Sequence, residues 1–109
     1  MSEEQEFRQH ADQTIANLYR LLLSASDDYE FDVHLAGGAL TVEFERPPAK
    51  FVISPKQAAR QIWFAARAKS YKLDWDIVEA SFTLNASGET LKEVVEKAVS
   101  EQLGEEISL

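Results

Sequence analysis

The chain of 109 residues contains no cysteine. That absence excludes disulfide bridges, thiol nucleophiles, thiolate zinc sites and iron–sulfur clusters held by the chain itself. It fits a reducing compartment. Glycine and proline are scarce, and no stretch repeats itself, falls into low complexity or reads as a linker. No apolar run approaches the length needed to cross a bilayer, so no membrane partner is expected. The opening "MSEEQEFRQHADQ" is acidic and polar, without the basic start and apolar core of a secretory peptide or the Arg/Ser richness of a transit peptide. There is no glycine-rich phosphate loop, nucleophile elbow or His–Glu metal helix. Paired carboxylates do acid–base work when burial shifts one of them, and nothing here suggests a cleft, so no catalytic residue is assigned.

What is present is one domain's worth of chain with an ordinary apolar fraction and an uneven charge. The net charge is −8. Residues 1–45 carry ten acidic and two basic side chains, residues 46–75 one acidic and seven basic, and residues 76–109 eight acidic and two basic. Acidic outer segments argue against general nucleic-acid binding, which needs basic surface to displace counterions. They favour cations or basic partners, or serve solubility alone.

Apolar periodicity places the elements. Phe7, Ala11, Ile15, Leu18 and Leu22 recur at helical spacing, which predicts a first helix over about 4–24. "FDVHL" and "ALTVEF" alternate on either side of Gly37-Gly38, a two-residue hairpin signal. With those glycines as the loop, Leu35 faces Leu40, Val33 faces Val42 and Phe31 faces Phe44, so the apolar faces match. "RPP" is expected to break the sheet, "KFVIS" to form a short third strand and "PKQAAR" a turn or loop. "QIWFAA", "YKLDW" and "EASFTL" give three further strands. Ser87 is the expected N-cap of a last helix whose stripe is Leu91, Val94, Val95, Ala98, Val99 and Leu103, with Gly104 as its stop. Helix, five or six antiparallel strands, helix: the fold class is α+β, a two-layer α/β sandwich with both terminal helices on one face of the sheet and the other face wet.

Two constellations stand on that wet face. Asp28, Glu30, Asp32 and His34 alternate outward along the first strand, with Glu43 across from Asp32 and Glu45 across from Glu30. Like charges across a ladder are destabilising, and a hard cation would relieve them. The alternative is an edge strand whose charges block edge-to-edge aggregation. His34 and His10 read as ordinary surface histidines. The second constellation is "QIWFAARAKSYKLDW". If Ile62 and Phe64 point inward, Gln61 and Trp63 point outward, flanked by Arg60 and Arg67 with Lys69 and Lys72 beyond. Trp63 is then a partner anchor; a one-residue slip would make it core instead.

Taken together, these segments resemble the frataxin family. "HADQTI" resembles its LADQ/LADE element, and "FDVHLAGGALTVEF" resembles its acidic strand, glycine turn and following strand. "QIWFAA" with "YKLDW" resembles its QIW…W segment, and "SGETLKEVVEKA" its final helix. The resemblance implies an iron-binding protein of iron–sulfur cluster assembly, with iron (Fe2+/Fe3+) held weakly and exchangeably. It would act as iron donor or regulator of a cysteine desulfurase–scaffold complex in a bacterial cytoplasm, as a monomer or as an iron-dependent oligomer. It implies that Gln61 and Trp63, flanked by Arg60 and Arg67, meet that complex. Helix one lacks carboxylates over "ANLYRLLLSAS", and Phe82 stands where a tryptophan is common, so the expected iron ligands shift to Asp27, Asp28, Glu30, Asp32, Glu43 and Glu45. A metal-independent acidic interaction module and a ferroxidase are the competing readings.

Overall fold

Phe7, Ala11, Ile15, Leu18 and Leu22 are the buried residues of helix α1 (Glu3–Ala25). Glu3, Glu4 and Glu6 in its first turn face the positive end of the helix dipole. The computed structural model describes residues 3–45, 47–66 and 69–109. After α1 come six strands, β1 (Phe31–Ala36), β2 (Ala39–Glu45), β3 (Pro48–Lys56), β4 (Gln61–Ala66), β5 (Lys69–Asp76) and β6 (Ser81–Thr83), and then helix α2 (Leu91–Leu103). The strands form one antiparallel meander in chain order. Both helices cover one face and close a single core with Leu40, Phe51, Ile53, Ile62, Phe64, Leu73 and Phe82. This is the expected two-layer sandwich.

The β1–β2 register is the one the glycine turn predicts, from Phe31 opposite Phe44 to Ala36 opposite Ala39. Gly37 and Gly38 sit at φ +60° and +80°, the pair of positive values that a two-residue turn matched to strand twist demands. Leu35 departs from expectation: its place on the inward face is right, yet it is 43% exposed. Val33 beside it is buried, so the helical cover ends between them.

The third strand is longer than expected. "RPP" does follow the end of β2, yet pairing resumes at once, with Pro48 opposite Glu45; Arg46 lies outside the described residues. "PKQAAR" is not all loop either, since Pro55 and Lys56 pair with Ile62 and Gln61. The prolines are tolerated for a geometric reason. Pairing of β3 with β4 begins at Phe51, and pairing with β2 ends at Ile53. Pro48 and Pro55 therefore each lie where β3 has one neighbour, and a missing N–H costs least there. Conversely, "EASFTL" supplies only the three residues of β6.

The last helix starts later than expected. Its N-cap is Thr90, not Ser87: the Thr90 hydroxyl accepts from the Glu93 N–H at 3.3 Å, and the Glu93 carboxylate accepts from the Thr90 N–H at 3.0 Å. This reciprocal capping box satisfies two groups that Ser87 could not reach together. Ser87 instead donates to Glu89 at 3.0 Å. Thr90→Ala should cost about 1 kcal/mol in chemical denaturation and Ser87→Ala less; equal losses would count against the assignment. Gly104 closes the helix at φ +71°, as expected. Lys97 donates to Glu89 at 2.9 Å, and this bond holds the Glu89 carboxyl below, and the Lys97 ammonium above, their ordinary ranges. The pair's help is therefore present at neutral pH. It is lost as pH falls through the lowered Glu89 value or rises through the raised Lys97 value.

Two further side chains differ from their sequence reading. His10 is half-buried, stacked on Trp75 with ring centroids 3.8 Å apart, rather than a free surface histidine. Gln102 joins the buried stripe of α2, its amide donating to the Pro47 carbonyl at 2.7 Å and so tying α2 to the β2–β3 turn.

Candidate functional site

Alternation on β4 decides the position of Trp63. Ile62, Phe64 and Ala66 are buried under the helices, which turns Gln61, Trp63 and Ala65 to the open face. Trp63 is 37% exposed there. It is not loose. Its indole N–H donates to Gln61 Oε1 at 3.0 Å. Gln61 Nε2 in turn donates to Asp74 Oδ1 at 3.1 Å, and Asn85 Nδ2 donates to Asp74 Oδ2 at 2.9 Å. Asp74 faces Gln61 across the β4–β5 ladder, so the chain of bonds follows the register. Lys56 and Lys72 place their ammonium groups 5.2 and 4.8 Å from the indole centroid, within cation–π range.

Of the expected flanking cations, Arg60 sits in the β3–β4 turn at φ 52° and pairs with Glu3 at 2.9 Å, which draws its guanidinium to the start of α1. Arg67 lies outside the described residues. Asp74, Asn85 and Lys56 were not anticipated. Asp74 meets Gln61 only in the observed β4–β5 register, which no turn residue announces. Asn85 lies beyond β6, and no periodicity points to it.

The acidic residues form an edge rather than a cage. Asp32 faces Glu43 across the β1–β2 ladder, as expected. Asp28 and Glu30, however, are not on the strand: β1 begins at Phe31, and both lie in the turn that follows α1. That turn caps the helix, with the Asp28 and Tyr29 N–H groups donating to the Ala25 carbonyl at 3.0 and 3.1 Å. It thereby holds Asp27, Asp28 and Glu30 against the negative end of the α1 dipole, whose last turn has no basic residue. Glu30 and Glu45 line one shallow hollow with Asp32, and Asp28 and Glu30 border another with Glu105, a carboxylate the sequence reading missed. Among the described residues no three acidic or histidine side chains converge to hold an ion.

The Asp32–Glu43 repulsion is also partly answered from within. Lys50 stands directly across from Glu43 on β3, and His34 Nε2 approaches Glu43 Oε1 at 4.0 Å. Asp32, on the edge strand, has no such partner on its outer side among the described residues. Three strand spacings across the sheet and four residues along it separate it from Trp63, roughly 20 Å.

Comparison with known proteins agrees with this architecture. The model of the frataxin-like domain matches residues 1–105. An iron–sulfur cluster assembly protein CyaY from Azotobacter vinelandii is 32% identical over 80 residues, 73% of this chain and 72% of that protein. Its counterpart from Stutzerimonas stutzeri is 38% identical over 81 residues, 72% of this chain and 73% of that protein. Among solved structures, a frataxin from Psychromonas ingrahamii superposes with a TM-score of 0.77 at 25% identity, covering 98% of this chain and 97% of its own. Yeast frataxin shares the fold at a TM-score of 0.72 and 19% identity, over 92% of this chain and 82% of its own. With its two terminal helices, six-stranded meander and family match over nearly its whole length, the chain belongs to the frataxin-like family.

Proposed function

We propose that the protein acts in iron–sulfur cluster assembly in the bacterial cytoplasm. It docks on a cysteine desulfurase–scaffold complex through the open sheet face centred on Trp63, and it supplies iron to that complex or adjusts its rate. The observation that carries the reading is Trp63 itself: a third of a large indole left exposed, yet fixed by a hydrogen-bonded chain, in a protein similar to CyaY relatives named for that pathway. An exposed, immobilised aromatic is what a binding surface needs and a core does not. The absence of cysteine is consistent with a protein that serves cluster assembly without holding the cluster.

Iron binds weakly along Asp27, Asp28, Glu30, Asp32, Glu43 and Glu45, two carboxylates at a time. Ferrous iron should therefore move amide NMR signals in residues 27–45, and shifts confined to residues 61–75 would rule out the site. Asp32→Asn should stabilise the metal-free protein by roughly 0.2–1 kcal/mol. Glu43→Gln should gain less, because it also removes the opposite charge that faces Lys50 across the β2–β3 ladder. Millimolar divalent cation should raise the melting temperature of the wild type more than that of Asp32→Asn; equal rises would count against iron at this edge. A metal-independent interaction module is the second reading, favoured by the lack of convergent ligands among the described residues. Capture of the desulfurase complex from lysate, with and without ferrous iron, separates the two.

A further inference from the structure

We propose that the open face around Trp63 receives an acidic segment of its partner. Carboxylates of that segment lie against Lys56 and Lys72, and an apolar side chain enters the hollow beside the indole. This rests on the reading of Trp63 as the docking centre and adds the chemistry of what docks there. The hollow, about 250 Å3, is lined on the open face by Val52, Ser54, Trp63, Ala65 and Ser70, with Lys56 and Lys72 bordering it. Both lysines are exposed, and among the described residues neither has an ion-pair partner. Asp74, two residues from Lys72 on β5 and opposite Gln61, gives one oxygen to Gln61 and the other to Asn85, so it is directed at amides rather than at the ammonium groups. Two cations are thus held against the indole with no ion-pair partner among the described residues.

The net charge of −8 does not overrule this local patch. The acidic edge at Asp32 lies roughly 20 Å away, and the screening length at physiological salt is about 8 Å. An approaching segment therefore meets two lysines more strongly than the distant carboxylates. The chain from Asn85 through Asp74 and Gln61 to Trp63 fixes the indole beforehand, so less ordering cost falls on binding. The surface is accordingly of two kinds. Its edge attracts cations or basic groups, and its centre attracts acidic ones.

The test uses a glutamate-rich peptide with a central leucine and its lysine-rich counterpart, titrated into the full chain by NMR. The glutamate peptide should move the Trp63 indole N–H and the amides of Lys56 and Lys72, with an effect that fades as salt rises. The lysine peptide should instead move residues 27–45. The double variant K56E/K72E should keep its melting temperature and bind the glutamate peptide about tenfold or more weakly, with K56Q/K72Q between it and wild type. Unchanged binding by K56E/K72E, or a Trp63 shift caused by the lysine peptide, overturns the proposal. The desulfurase–scaffold complex gives the second arm. If Trp63→Ala abolishes its capture while K56E/K72E captures it as wild type does, the docking surface stands and the acidic-partner inference falls. If Trp63→Ala changes nothing, the docking reading falls and takes this inference with it.

Discussion

Trp63→Ala is expected to weaken binding to the desulfurase–scaffold complex by at least about thirtyfold while leaving the fold intact. The binding loss corresponds to ~2 kcal/mol or more, the usual size for a tryptophan at the centre of an interface. The stability loss should be about 1.5–3.5 kcal/mol, mostly below the loss on truncating a core tryptophan. Truncation removes one hydrogen bond to Gln61, two exposed cation–π contacts and the packing of the shielded part of the indole. Gln61→Ala should weaken the same contact less, since it frees the indole without deleting it. One thermal melt and one binding titration distinguish the outcomes. A melting temperature that collapses in Trp63→Ala would mean the indole is part of the core, and the proposed partner surface would go with it.

The residue next door should behave in the opposite way. Phe64→Ala is expected to cost about 3–5 kcal/mol of stability, the range for emptying a buried phenylalanine site. Phe64 is 0% exposed and packs on Phe51 at 5.8 Å and on Tyr71 at 5.7 Å between ring centroids. Against a total stability of roughly 5–15 kcal/mol, that loss leaves a marginal fold and a melting temperature lower by about 15 °C or more. Where the variant remains folded at low temperature, its binding should be close to wild type, because Phe64 faces the helices. Adjacent aromatics with exchanged phenotypes, one lost in binding and the other in folding, are the signature of alternation on β4. If both variants unfold alike, that alternation is wrong.

Much of the candidate site could be read from residue order because the relevant geometry is local. A period of 3.6 set the buried stripe of α1 from Phe7 to Leu22. Two glycines, able to take positive φ together, fixed the β1–β2 register and with it the opposition of Asp32 and Glu43. The flanking Ile62 and Phe64 sent Trp63 outward, because side chains on a strand alternate whatever the strand's neighbours are.

The rest depended on which strands became neighbours. Lys50 across from Glu43, and Asp74 across from Gln61, follow from registers set by connections that carry no distinctive turn signal. The β3–β4 turn, for instance, ends in a left-handed arginine, Arg60, where a glycine would have announced it. The prolines of β3 looked like breakers because a sequence cannot say that each would stand where the strand has a single neighbour. Leu35 and His10 show the same limit for burial. Alternation and helical period assign a side chain to a face, but the reach of the opposite layer decides whether that face is covered. The sequence by itself therefore determined the order and type of the elements, the inward faces of α1, β1, β2 and β4, and the outward tryptophan. Tertiary structure alone decided that Asp74 and Asn85 would hold it and that two lysines would flank it, because those contacts join residues far apart in the chain whose meeting no local periodicity encodes.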